Sequence, residues 1–177
     1  MIKFKNSIST IVASILLSAV LSSCIGEEMM TCGEQILVQR IGEGGNTGTR
    51  GVVISSNTDL KGETFGFFAS LTPNLSSPQM YFNESATVNT DLTATISPEQ
   101  YWPGMLDASM KFFSWYPYND ANAPAATFSN PGQMVLDYTA DAIAANHVDV
   151  LAAVSKPAWG AGVGIHFYHT LTKVTFL

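Results

Sequence analysis

Charge is scarce in this 177-residue chain: Asp, Glu, Lys and Arg together make up 12% of it, against 46% hydrophobic residues. A solvated, disordered polymer needs the opposite balance, so the chain has apolar surface enough for a buried core of one domain. The positive sign is the scarcer one, with 8 Lys and Arg against 14 Asp and Glu and a formal net charge of -6. Such a surface offers no footprint for nucleic-acid phosphates. Cysteine is almost missing, with two in the chain. Runs of Glu, Lys, Leu and Ala at helical spacing are also scarce, whereas 10 Phe, 6 Tyr and 3 Trp are present, which favours sheet over a helix bundle. Gly-x-Ser-x-Gly, P-loop and dinucleotide fingerprints are absent. The Gly-rich stretch 42–48 lacks the following Lys-Ser/Thr and helix, so a phosphate cradle is excluded.

What is there begins at the N-terminus. Lys3 and Lys5 precede an apolar stretch from Ile8 to Leu21 that is too short for a comfortable membrane span and has the charge and length of a secretory signal. It ends in Leu21-Ser22-Ser23-Cys24, which resembles a bacterial lipobox. The thiol of Cys24 is then the acceptor for lipid, and residues 1–23 are the signal peptide. Each buried CH₂ of an acyl chain contributes about 0.8 kcal/mol, so several chains on one cysteine hold a protein on a membrane. Glu27-Glu28, close behind the cysteine, resembles the surface-export signal of some lipoproteins. With Cys24 acylated, Cys32 has no free thiol to pair with, and a disulfide framework is excluded.

Residues 24–50 read as a leader. Ile36-Leu37-Val38-Gln39-Arg40-Ile41 is a strand candidate, and Gly42 to Gly48 behind it is a Gly-rich breaker. Arg50 closes that tether just ahead of Val52-Val53-Ile54, in a place where a protease can bind it extended. Arg40 lies inside the apolar run, where backbone pairing protects it. Arg50 is therefore the better trypsin-like site, and Arg40 the poorer one.

From residue 51 onward, alternation of period two recurs. Phe65, Phe67, Ala69 and Leu71 share one face up to Pro73, Met80 and Phe82 share another, and Leu92, Ala94 and Ile96 stand opposite Thr93 and Thr95. Phe112 to Tyr116 is apolar on both faces, as in a central strand covered on both sides. Val148 to Val154 gives a further strand. Val163, Ile165, Phe167 and Leu171 give the last, with a change of parity near Thr172-Lys173 that predicts a bulge or bend. Helical turns are expected only at Ala140 to Ala145 and at Ser97-Pro98-Glu99-Gln100. About nine closely spaced strand candidates predict an all-β fold, a β-sandwich.

The ordered set Tyr101-Trp102-Pro103, Met110 to Pro117, Val148 to Ala153 and Ile165 to Phe176, with Thr49-Arg50 and the lipobox ahead of it, resembles the fimbrillin family of lipoproteins. The resemblance implies a transthyretin-like, Greek-key β-sandwich over residues 51–177. It also implies a role as subunit, tip or anchor of a pilus. In that family a trypsin-like protease removes the lipid-bearing leader with its first strand, and a strand from a neighbouring subunit takes the vacated place. The implied partners are other pilus subunits, the processing protease and, through Cys24, the outer membrane; the implied location is the cell outer membrane and the fimbrium. A fimbrillin would continue past Phe176-Leu177 into a second domain and a donor strand, so the C-terminal part of the protein is expected to lie beyond this sequence.

Two other classes are set against this reading. His147, Asp149, His166 and His169 suggest a metal site, but residues three apart in a strand face opposite ways, so zinc-like coordination is not expected. His169 shares parity with Ile165 and Phe167 and reads as a hydrogen-bonded core histidine, with Asp149 a partner for backbone N–H groups. No cofactor and no enzymatic role are expected. The alternative is an adhesive lipoprotein that binds surface glycans or proteins, with Trp102, Trp115, Tyr116 and Tyr118 as stacking platforms.

Overall fold

The computed structural model describes residues 33–43, 54, 56–74, 76–105, 108–128, 131–143 and 146–170. The signal, Cys24, Cys32, Arg50, Val52-Val53 and the parity change after Leu171 lie outside the described residues.

Described strands are β1 (Val38–Glu43), β2 (Thr64–Thr72), β3 (Gln79–Val88), β4 (Ala94–Ser97), β5 (Ser109–Tyr116), β6 (Ala125–Thr127), β7 (Val135–Asp137), β8 (Leu151–Ser155) and β9 (Val163–His169). The all-β expectation is met. Seven strands form one closed circuit in the order β1-β4-β3-β2-β5-β8-β9. Within it β2, β3 and β4 are a meander and β5 returns to lie beside β2, which is Greek-key order. Hydrogen bonds run all the way round, so the faces of the sandwich are joined at their edges. Among the described residues, closure leaves none of these seven strands at a sheet edge.

Period-two alternation places Phe65, Phe67, Ala69 and Leu71 of β2 inside, with Met110 and Phe112 of β5 and Val163, Ile165 and Phe167 of β9. Phe67 stacks on Phe112 with ring centroids 5.4 Å apart, and Phe65 meets Phe167 edge-on at 5.4 Å. Offset and edge-on pairs such as these add roughly 0.5–1.5 kcal/mol each beyond the area they bury. β5 lies between β2 and β8, as its two apolar faces require.

Its outer face has a core of its own. Phe68, Phe113 and Trp115 form a second cluster covered by Tyr118, Ala126, Phe128, Met134 and Leu136. The β6–β7 hairpin supplies much of that cover, with Phe128 stacked on Phe68 at 3.8 Å and 10°. Lys111 ties the hairpin down: its ammonium donates to the Gly132 carbonyl at 3.2 Å and sits 4.8 Å from the Phe113 ring centre.

Three sequence expectations are corrected here. Met80 does not share the face of Phe82. The β2–β3 register shifts between Ala69 and Ser70, so Phe82 opposes Ala69 while Met80 opposes Ser70, and Met80 is 63% exposed. Leu92 is a turn residue with φ of 66°, so β4 begins only at Ala94. No helical turn forms at Ser97 to Gln100; Gln100 to Trp102 instead pair with the leader. The described helical turn is a 3-10 turn at Asn57–Leu60, where the Ser56 N–H donates to the Asp59 carboxylate at 2.9 Å.

Candidate functional site: the strand that closes the circuit

Ile36, Val38 and Ile41, three aliphatics of the segment 33–43, are 2%, 2% and 1% exposed. Fully burying each contributes about 1.5–3 kcal/mol. The leader is bonded along both sides. On one flank it runs antiparallel to 92–102: Trp102 N–H donates to Glu34 O and Ile36 N–H to Gln100 O, both at 2.8 Å, and Ile41 N–H donates to Leu92 O at 2.9 Å. On the other flank β1 lies parallel to β9, with Val163 N–H donating to Leu37 O at 2.8 Å.

Strict alternation would send Arg40 inward with Val38. A register shift between Val38 and Arg40 inserts Gln39 as an extra residue, so that Arg40 opposes Gly164 and Ile41 opposes Ile165. Arg40 is consequently exposed while its backbone stays in the ladder. The turn that offers Leu92 O to Ile41 is fixed by Asp91. Its carboxylate accepts from the Thr93 hydroxyl at 2.7 Å and the Thr93 N–H at 3.0 Å, and these bonds hold its pKa below the usual carboxylate value.

A buried polar node sits at the far end of β9. His169 Nδ1 lies 2.8 Å from Asp149 Oδ1, with the two side chains 4% and 2% exposed. Asp149 Oδ2 accepts the N–H of Ile54 at 3.1 Å. The sequence reading of His169 as a hydrogen-bonded core residue and Asp149 as a backbone partner describes this arrangement. Its effect is positional: Glu43, the last residue of β1, opposes Phe167, and Ile54 is bonded to the partner of His169. Glu43 and Ile54, the described residues on either side of 44–53, thus both lie at one end of β9.

The other chemical candidates are dispersed. His166 is exposed beside Gly42, and His147 Nε2 contacts the Asp141 carbonyl at 2.7 Å. Among the described residues no group of three or more His, Cys, Asp or Glu could hold a metal ion. Trp102 and Trp115 are 3% and 5% exposed, so neither presents a face to a sugar. Tyr116 is half-buried and donates to the Glu63 carboxylate at 3.1 Å; burial first, and the nearby Glu63 charge second, push its pKa up. Tyr118 packs edge-on against Trp115 at 5.9 Å.

A family model described as fimbrillin-like matches residues 49–177. The chain belongs to the fimbrillin-like family. The family is one of structural pilus proteins, and membership implies a fimbrial, cell-surface location. The match begins after β1, so the strand that completes this fimbrillin-like domain lies ahead of the matched region. Searches of curated proteins and of solved structures each found no match.

Sequence reasoning missed the Gln39 bulge, the Gln100 to Trp102 flank and the second aromatic cluster. The last had a signal: Asn130-Pro131-Gly132, strong turn chemistry, separates two short apolar stretches.

Proposed function

We propose that this chain is a pilus subunit or pilus anchor that assembles by exchange of β1 for a strand of a neighbouring subunit. It is delivered as a lipoprotein acylated on Cys24 and displayed on the outer membrane. A trypsin-like protease cuts after Arg50, with Arg40 the poorer site because its backbone is engaged in the β1–β9 ladder. The released leader leaves a groove between β4 and β9, edged by unpaired backbone groups that an extended segment can bond.

One observation carries this reading. A segment ahead of the family-matched region buries Ile36, Val38 and Ile41 in the core and closes the circuit. Replacing it restores a few aliphatic contacts at about 1.5–3 kcal/mol each and several ladder bonds at about 1 kcal/mol net. Assembly therefore needs no catalytic residue. A chain that keeps its leader keeps its lipid and stays at the filament base.

Mass spectrometry of the protein in isolated filaments tests the proposal. The expected result is a new N-terminus at Gly51 and loss of the Cys24-bearing peptide. Filament subunits that all retain residues 24–50 would overturn it.

A further inference from the structure

The two ends of the fold differ in charge and in apolar exposure. We infer that the end at which the leader enters, marked by Gly33, rests on the headgroup region of the membrane that carries the Cys24 lipid, with Tyr101, Met105 and Trp159 as its contact residues. This inference rests on the lipoprotein reading and says how the anchored chain is oriented.

The strand registers define that end. Leu71 pairs with Gln79, Thr72 with Ser109 and Phe112 with Ser155, while Gln35 bridges to Tyr101. The connections 73–78, 98–105 and 156–162 therefore gather around Gly33. They interlock there: a Cβ on Gly33 would meet the Trp102 carbonyl, and Trp102 packs on Trp159 with ring centroids 5.2 Å apart. Tyr81 donates its hydroxyl to the Tyr101 carbonyl at 2.8 Å. Exposed around this knot are Leu37, Met80, Tyr101 at 47% and Met105 at 49%, with Trp159 half-buried. Scattered exposed apolar residues are ordinary. Here four of the eight large exposed hydrophobics among the described residues meet at one end, and the connections of the far end, 56–63, 89–93 and 117–124, hold none of the eight.

Charge divides the same way. Among the described residues, the Gly33 end carries Glu34, Glu99 and Lys156, and Glu99 accepts a hydrogen bond from the Tyr101 hydroxyl at 2.9 Å. The three far connections carry Asp59, Glu63, Asp91 and Asp120 against Lys61. Anionic headgroups repel the far end more strongly. Tyr and Trp, each with an apolar body and a polar tip, suit the boundary between headgroups and acyl chains.

Tether length selects the end. Cys24 and Gly33 are nine residues apart, so even full extension spans at most about 32 Å. β3 runs from one end of the domain to the other with 10 residues, which cover about 34 Å. An inverted domain would need a tether longer than the chain supplies, whereas the Gly33 end is drawn down onto the bilayer. Glu43 and Ile54, which bracket Arg50 in sequence, lie at the far end. In this orientation they face away from the membrane, toward a protease in solution.

Hydrogen exchange read by mass spectrometry tests the orientation. The acylated chain is bound to vesicles of phosphatidylethanolamine and phosphatidylglycerol and compared with residues 24–177 carrying Cys24→Ser in solution; flotation reports anchoring separately. Peptides covering 98–105 and 156–162 are expected to exchange at least about threefold more slowly on vesicles, with 56–63 and 89–93 unchanged. Met105→Asp, at an exposed position, should float as the parent does and lose much of that protection. Protein that floats while both ends exchange as in solution would overturn the orientation and leave the lipid anchor standing. The same protection in concentrated Cys24→Ser protein without vesicles would make the occupant a second copy of the chain, and would overturn it too. Acylated protein that does not float would remove the anchor and the orientation with it.

Discussion

Ile41 stands opposite Ile165 across the parallel seam between β1 and β9, and the two are 1% and 0% exposed. The contact joins a leader residue to the innermost layer of the domain. A leader that merely trailed in solvent would have no such partner.

Truncating Ile41 to alanine should therefore destabilise the uncut protein as a core substitution does, by about 2–5 kcal/mol. Urea unfolding of the full chain measures it. Leu37→Ala, on a residue 48% exposed and four positions earlier, should change stability by less than about 1 kcal/mol. Equal effects of the two would mean that the leader is not seated as described.

Asp149→Asn keeps the shape of the buried node but puts an amide where a carboxylate oxygen meets His169 Nδ1 at 2.8 Å. Disturbing a buried hydrogen-bonded pair by changing one partner costs about 1–3 kcal/mol, since a buried polar group is left unsatisfied. A lowered urea midpoint is expected, together with faster hydrogen exchange at the Ile54 amide, which Asp149 bonds directly. Unchanged exchange at Ile54 would separate that residue from the node.

Alkaline pH should weaken the fold through Tyr116. Its pKa is raised from the ordinary 10.0 by burial and by Glu63, so the folded state keeps the phenol proton after the unfolded state has lost it. The associated stability is full below about pH 10 and declines as pH rises through the folded pKa. Urea midpoints between about pH 8 and about pH 11 should fall, and Tyr116→Phe should flatten that fall. An identical slope in the variant would assign the loss to other groups.

Gly66 pairs with Trp115, whose indole occupies the space a Cβ on Gly66 would fill. Gly66→Val should displace that ring from Phe68 and Phe128, at about 1–3 kcal/mol for overpacking. Loss of the near-ultraviolet tryptophan dichroism together with a lower thermal midpoint is the expected signature. A variant with native dichroism would mean that the ring finds room elsewhere.

Much of this architecture is legible in the chain because period two leaves little freedom once one face must be buried. The inward sets of β2 and β9 follow directly from alternation, and His169 follows from sharing its parity with Ile165 and Phe167. Alternation fails where a bulge resets it, at Met80 and at Gln39, because an added residue leaves no mark on composition. The antiparallel flank at Gln100 to Trp102 was hidden for another reason: its partner, Glu34 to Ile36, lies far away in sequence, and no local pattern encodes a distant pairing. The readings of Cys24 and Arg50 rest on their chemistry alone, and both residues lie outside the described ones.

The neighbours of β1 are β4 and β9, and β9 is the last described strand of the chain. The slot that β1 fills therefore cannot exist until β9, more than a hundred residues further along, has been synthesised and paired. Of the described strands, the first to leave the ribosome must wait for the last before it can be seated, so its docking is a non-local, late pairing of the kind that folds slowly.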